Sequence, residues 1–113
     1  MTSTPDDHGV GPDPIVVMKF GGTSVADPSA IRRVAEIVRA AAESETRPVL
    51  VTSAMSKVTD ALFDMVTRAA AGHVRAAQDV LDGMLARHRT ASAELLDEPA
   101  RCEFDALLEE ASR

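Results

Sequence analysis

The strongest constraint on this chain lies in residues 15–24, IVVMKFGGTS, where a short apolar run breaks into two consecutive glycines. Ile15 to Phe20 is rich in β-branched residues, the pattern of a strand buried on both faces of a parallel sheet. A helix start follows the glycines: Asp27 suits the N-cap and Pro28 the first helical position. Ile31, Val34, Ala35 and Val38 then recur at helical spacing, and the pattern fades from Glu43 to Thr46. Pro48 to Ser53 (PVLVTS) repeats the buried-strand pattern. Strand, helix, strand in this order predicts two adjacent parallel strands joined by a right-handed crossover. The glycine turn and the segment after Ser53 then share one edge of the sheet.

The remainder reads as helix. A start near Ser56 to Thr59 leads into a stripe of Val58, Ala61, Leu62, Met65, Val66 and Ala69, with Gly72 placed to end it. From Val74 a second stripe carries Ala77, Leu81, Met84, Leu85, His88 and Leu95. Asp97-Glu98-Pro99 interrupts it, and Phe104, Leu107, Leu108 and Ala111 mark a last helix. The expected class is α/β. Two parallel strands make a thin sheet with two open edges, so the chain reads as part of a larger sheet.

Composition narrows the function classes. Apolar residues are 45% and charged residues 27%, an ordinary globular mix, and with three Phe and no Trp or Tyr the core must be aliphatic. A net charge of −6 argues against nucleic acid as a partner, since phosphate backbones want a basic surface. The lone Cys102 cannot form an internal disulfide, which fits a reducing cytoplasm. No segment approaches the roughly 20 apolar residues of a membrane span. Residues 1–14, MTSTPDDHGVGPDP, lack an apolar run and read as a disordered lead-in rather than a signal peptide. Residues 15–113 form the folded part.

Two segments carry chemistry. Lys19-Phe20-Gly21-Gly22-Thr23-Ser24 ends a strand and precedes a helix, where open α/β sheets bind ligands. Two glycines let the backbone approach an anion, free N–H groups can bond phosphate oxygens, and Thr23 and Ser24 add hydroxyls. Lys19, the odd residue in an apolar strand, can place its ammonium on a phosphate. The alternative is a snorkelling lysine beside a plain turn. The Walker pattern GxxxxGK[ST] does not occur. The second segment, Ser53-Ala54-Met55-Ser56-Lys57-Val58-Thr59-Asp60, offers hydroxyls and a helix N-terminus to a carboxylate or phosphate. Its alternative is that Ser56 or Thr59 merely caps the helix.

Taken together, KFGGTSV at Lys19 to Val25 and VTSAMSKVTD at Val51 to Asp60 resemble the aspartate kinases of the amino acid kinase fold. The full KFGGTS string is the specific part; acetylglutamate, uridylate and glutamate kinases carry a related but different glycine turn. Many aspartate kinases have Gly where this chain has Lys57. The SAMSKVTD form is similar to those fused to homoserine dehydrogenase, as is LDGMLARHRTASAELL, Leu81 to Leu96. The resemblance spans residues 15–113. It implies a partial three-layer, carbamate kinase-like fold: two parallel strands, flanking helices and a helical excursion.

The resemblance implies a reaction as well: ATP, with Mg²⁺, phosphorylates the side-chain carboxylate of L-aspartate, the first step toward lysine, threonine and methionine. By position, Lys19 would neutralise charge on the transferring phosphoryl group. Gly21 and Gly22 would give it backbone N–H bonds, with Thr23 and Ser24 lining the turn. Ser53 would sit near the reacting groups, and Thr59 would help hold aspartate. The family's later groups have no counterpart here: a glutamate for the substrate amine, a glycine-rich segment with an aspartate for phosphate and metal, the adenine pocket and the regulatory region. The 113 residues alone are therefore expected to be inactive, without metal ligands, and part of a parent that is a cytoplasmic homo-oligomer. The alternative is a truncated, non-catalytic paralogue acting as an interaction or regulatory partner of a complete kinase.

Other reactive residues carry plain readings. His88 lies on an apolar stripe and reads as a packed structural histidine. His8, His73 and His88 show no metal spacing. Cys102 reads as a helix-face thiol, and the acids from Glu94 to Glu98 as a solvated helix end.

Overall fold

A computed structural model describes residues 11–113; the greater part of the lead-in, with His8, lies outside the described residues. Six elements follow in order: β1 (Ile15–Phe20), α1 (Pro28–Glu43), β2 (Arg47–Thr52), α2 (Val58–Ala70), α3 (Val74–Leu95) and α4 (Glu98–Ala111). The architecture is α/β, a two-stranded sheet with flanking helices and a helical excursion. The strands are adjacent and parallel, in register from Ile15 opposite Arg47 to Phe20 opposite Thr52. β2 begins and ends one residue earlier than its apolar run predicts. Arg47 is drawn into the ladder because its N–H donates to Pro14 O at 2.9 Å, while its Nε–H donates to Asp13 O at 3.1 Å.

Local chemistry explains the helix ends. Asp27 caps α1, its Oδ1 accepting from Ala30 N–H at 2.8 Å, and Pro28 occupies the first turn. Asp97 caps α4 in the same way, accepting from Ala100 N–H at 3.0 Å. The caps satisfy N–H groups that the helix itself cannot. Gly72 ends the α2 segment at φ +83, and His73 N–H closes back on Arg68 O at 2.9 Å. This left-handed close needs glycine's freedom and folds α3 back along α2 as a helical hairpin.

The sheet departs from the sequence expectation in one respect: it is not buried on both faces. Along β1 burial alternates, with Val16, Met18 and Phe20 half-buried and Ile15, Val17 and Lys19 exposed. Phe20 shares a pocket with Ala30, Val34 and Ile37 of α1. Among the described residues the other face has no element packed on it: Val17 is 67% and Val51 49% exposed. Side chains alternate across a strand, and a run of apolar residues does not say whether both faces are covered.

The buried set is small: Val25, Ala30, Val34, Val58, Ala77, Leu85, Ala91 and Leu108, together with Ser92. Parts of the predicted stripes stay in solvent. Leu62, Val66, Val74 and Leu107 are exposed, with no facing element among the described residues to cover them. The radius of gyration is 20.7 Å, against about 13 Å for a compact domain of 100 residues. No helix among the described residues is long and apolar enough to cross a membrane.

Candidate active site

The parallel register sends both strands' C-terminal ends to one edge, and the loops that follow them meet there. Ser53 N–H donates to Phe20 O at 3.1 Å, joining the loops where they leave the sheet. Ser24 N–H turns back on Gly21 O at 3.0 Å. Between the loops lies a cleft of 370 Å³ walled by Gly22, Thr23, Ser53, Ser56, Lys57, Thr59 and Asp60, with Ala54 and Met55. Four of the predicted site residues, Gly22, Thr23, Ser53 and Thr59, therefore share one cavity. Ser24 faces the neighbouring pocket of 290 Å³ beside Phe20 and Arg33. Gly21 sits at the base of the turn. Lys19 is the last residue but one of β1, on the open face opposite Val51, and is not part of the cleft wall.

Neither glycine is demanded by backbone conformation, since only Gly72 among the described glycines has positive φ. A Cβ on Gly21 would meet nothing within 4 Å, and one on Gly22 only Ala54 O at 3.9 Å. The small residues leave the turn's backbone open to an approaching group.

The start of α2 differs from those of α1 and α4. Ser56 and Thr59 do not cap it. The N-cap is Lys57, at φ 67, and its side chain makes no capping bond. Val58 N–H turns back to Met55 O and Ala61 N–H bonds Lys57 O, but Thr59 and Asp60 N–H have no partner among the described residues. A helix N-terminus with open N–H groups attracts negative charge. The cleft thus combines hydroxyls, free backbone donors and one lysine, with Asp60 as its lone carboxylate. Among the described residues no three His, Cys, Asp or Glu cluster to hold a metal ion.

Left-handed backbone at Lys57 has a measurable consequence. A residue with a Cβ is strained there by about 1–2 kcal/mol, partly offset in glycine by backbone entropy of about 0.5–1 kcal/mol. Lys57→Gly is expected to stabilise the chain by about 0.5–1 kcal/mol, read as a higher urea midpoint, whereas Lys57→Ala, which keeps the Cβ, gives no gain. A lower midpoint for the glycine variant would contradict the strain.

Two residues have no individual role in the sequence reading. Asp60 lines the cleft, and Arg87 reaches it from α3: Nη1–H donates to Ser56 O and Nη2–H to Ala26 O, the latter at 2.9 Å. His88, one residue on, is half-buried, its Nδ1 within 2.7 Å of Met84 O, a packed histidine. Cys102 is exposed.

The profile of the amino acid kinase family matches residues 14–107, nearly the whole described chain. The chain belongs to the amino acid kinase family. Within it, the similar relatives are aspartokinases. The chain is 38% identical over 88 residues to the chloroplastic bifunctional aspartokinase/homoserine dehydrogenase of Daucus carota, covering 78% of this chain and 9% of that protein. It is 40% identical over 81 residues to a chloroplastic bifunctional aspartokinase/homoserine dehydrogenase of Arabidopsis thaliana, covering 72% and 8%. It is 49% identical over 51 residues to the aspartokinase of Mycobacterium tuberculosis, covering 45% and 12%. The chain thus spans about a tenth of the length of the curated relatives it matches. The likeness to aspartokinases, read first from KFGGTSV and SAMSKVTD, extends over 88 residues of this chain.

Proposed function

We propose that this chain supplies the phosphoryl-transfer edge of an aspartokinase, in which ATP phosphorylates the side-chain carboxylate of L-aspartate. The observation that carries the reading is the convergence of the Gly21–Ser24 turn and the Ser53–Asp60 loop on one cleft, beside the open N-terminus of α2. Phosphoryl transfer asks for positioning and charge stabilisation more than covalent chemistry. The turn's N–H groups at Gly21 and Gly22, with the Thr23 and Ser24 hydroxyls, hold phosphate oxygens. Lys19 extends its flexible stem from the strand end to the transferring group, where a compact ammonium neutralises charge. Ser53 stands beside the reacting atoms, and Thr59 binds aspartate at the head of α2. The presence of both Lys57 and Asp60 in the wall of one cleft favours a substrate that carries both charges, as an amino acid does, over a simple anion. Mg²⁺ would supply charge neutralisation at the phosphates, held by groups of the complete kinase rather than by the cleft residues named here.

In this reading the 113 residues alone do not turn over, because nucleotide base, metal and substrate amine need further groups. A hydroxamate assay tests it. The isolated chain is expected to form no ATP-dependent aspartyl hydroxamate. A kinase domain completed around residues 14–107 with the remainder of the Mycobacterium tuberculosis aspartokinase is expected to form it. Turnover by the short chain that Lys19→Ala abolishes would make it a complete minimal kinase. A product from a different carboxylic acid would overturn the substrate.

A further inference from the structure

Among the described residues, Arg87 is the one side chain from outside the two loops that bonds to both. It lies on α3, exposed, and its guanidinium spans the two strand-to-helix turns. The carbonyls it bonds occupy equivalent places. Ala26 immediately precedes Asp27, the N-cap of α1, and Ser56 immediately precedes Lys57, the N-cap of α2. At the strand ends the loops are already joined by Ser53 N–H on Phe20 O. At the helix ends, among the described residues, Arg87 joins them. The cleft lies between these two ties.

We propose that Arg87 is a positioning residue that sets the spacing of the glycine turn and the Ser53–Asp60 loop, and so the width of the cleft an anion enters. A guanidinium is planar with its donors fixed in a fork. Two carbonyls bonded to one rigid plane cannot drift independently. A lysine ammonium offers donors but no fork, so it can follow either carbonyl without fixing the distance between them. Arg87 leaves the phosphate-binding N–H groups free, because it takes only carbonyls. What the cleft binds rests on the function proposed above; the tie itself does not.

Amide hydrogen exchange on the 113-residue chain tests the tie directly, through three bonded loop amides: Ser24, Ser53 and Val58. Arg87→Ala is expected to speed exchange at these three by about tenfold through local opening, while amides in the middle of α3 keep their rates. Arg87→Lys recovers less than half of the lost protection. Inorganic tripolyphosphate, titrated against the same proteins, is expected to bind about tenfold more weakly to Arg87→Ala, with Arg87→Lys between. Unchanged exchange at the three amides would overturn the proposal. So would equally faster exchange throughout the chain in both variants, which marks a fold-wide structural role. Local opening with no tripolyphosphate binding in any of the proteins, the parent chain included, would uphold the tie and count against the anion reading of the cleft.

Discussion

Lys19→Ala, in a kinase domain completed around this segment, lowers turnover by on the order of 10²–10³, the usual cost of removing one preorganised electrostatic contact from a transition state. The apparent affinity for aspartate changes far less. The argument begins in the strand. β1 is apolar apart from Lys19, and the lysine sits at its last position but one, beside the glycine turn. An ammonium assigned to the transferring group meets more charge in the transition state than in the bound substrate, so its loss falls on turnover rather than on binding. Thr59→Ala gives the opposite split. Its hydroxyl lies in the cleft wall at the head of α2, and a contact to the substrate aspartate raises KM more than it lowers kcat. Steady-state kinetics with aspartate varied separates the two. A Lys19→Ala enzyme within a few-fold of the parent in turnover would remove the lysine from the chemistry.

The isolated chain associates and binds a hydrophobic dye, the second large effect expected. The open sheet face exposes Ile15, Val17, Val49 and Val51 together, and α2 exposes Phe63 at 70% and Val66 at 60%. Contiguous apolar surface of this kind recruits partners or other copies. A two-stranded sheet covered on one side also leaves strand edges free to pair. With so few residues fully inside, cooperative unfolding is weak, because the stability of small domains rests on the fraction of surface they bury. Gel filtration and thermal melting are expected to give a concentration-dependent size and a broad transition. Threonine at Val17, Val49 and Val51 should reduce dye binding while leaving helical content unchanged. A monomer with a sharp transition and no dye binding would show that these faces are self-sufficient.

How much was legible in the sequence follows from where each signal sits. The bounds of β1, the Asp27 cap and the Gly72 turn are written locally, in residue types whose chemistry acts over one to five positions; Asp97, read only as part of an interruption and a solvated helix end, proves to cap α4. The cleft was legible too, because two parallel strands separated by one helix must deliver their following loops to the same edge. Coverage was not. IVVMKF and PVLVTS read as strands buried twice over, yet a packing partner for the second face is a property of elements elsewhere, and no periodicity reports it. Lys57 was opaque for a different reason: a left-handed position occupied by lysine gives no sign of itself, although glycine in many aspartate kinases hinted at it. Arg87 depends on three elements converging. Its neighbours on α3, Ala86 and His88, give no reason to single it out until the fold brings Ala26 and Ser56 within reach.

The central claim is that the two loops form one anion-binding edge, and the most direct measurement is a titration of the isolated chain with inorganic tripolyphosphate, followed residue by residue through backbone amide NMR shifts. The expected result is saturable binding on the order of millimolar, with Gly21, Gly22, Thr23 and Ser24 shifting together with Thr59 and Asp60 along one binding curve. Shifts confined to one loop, scattered over surface arginines, or absent at saturating anion would contradict it.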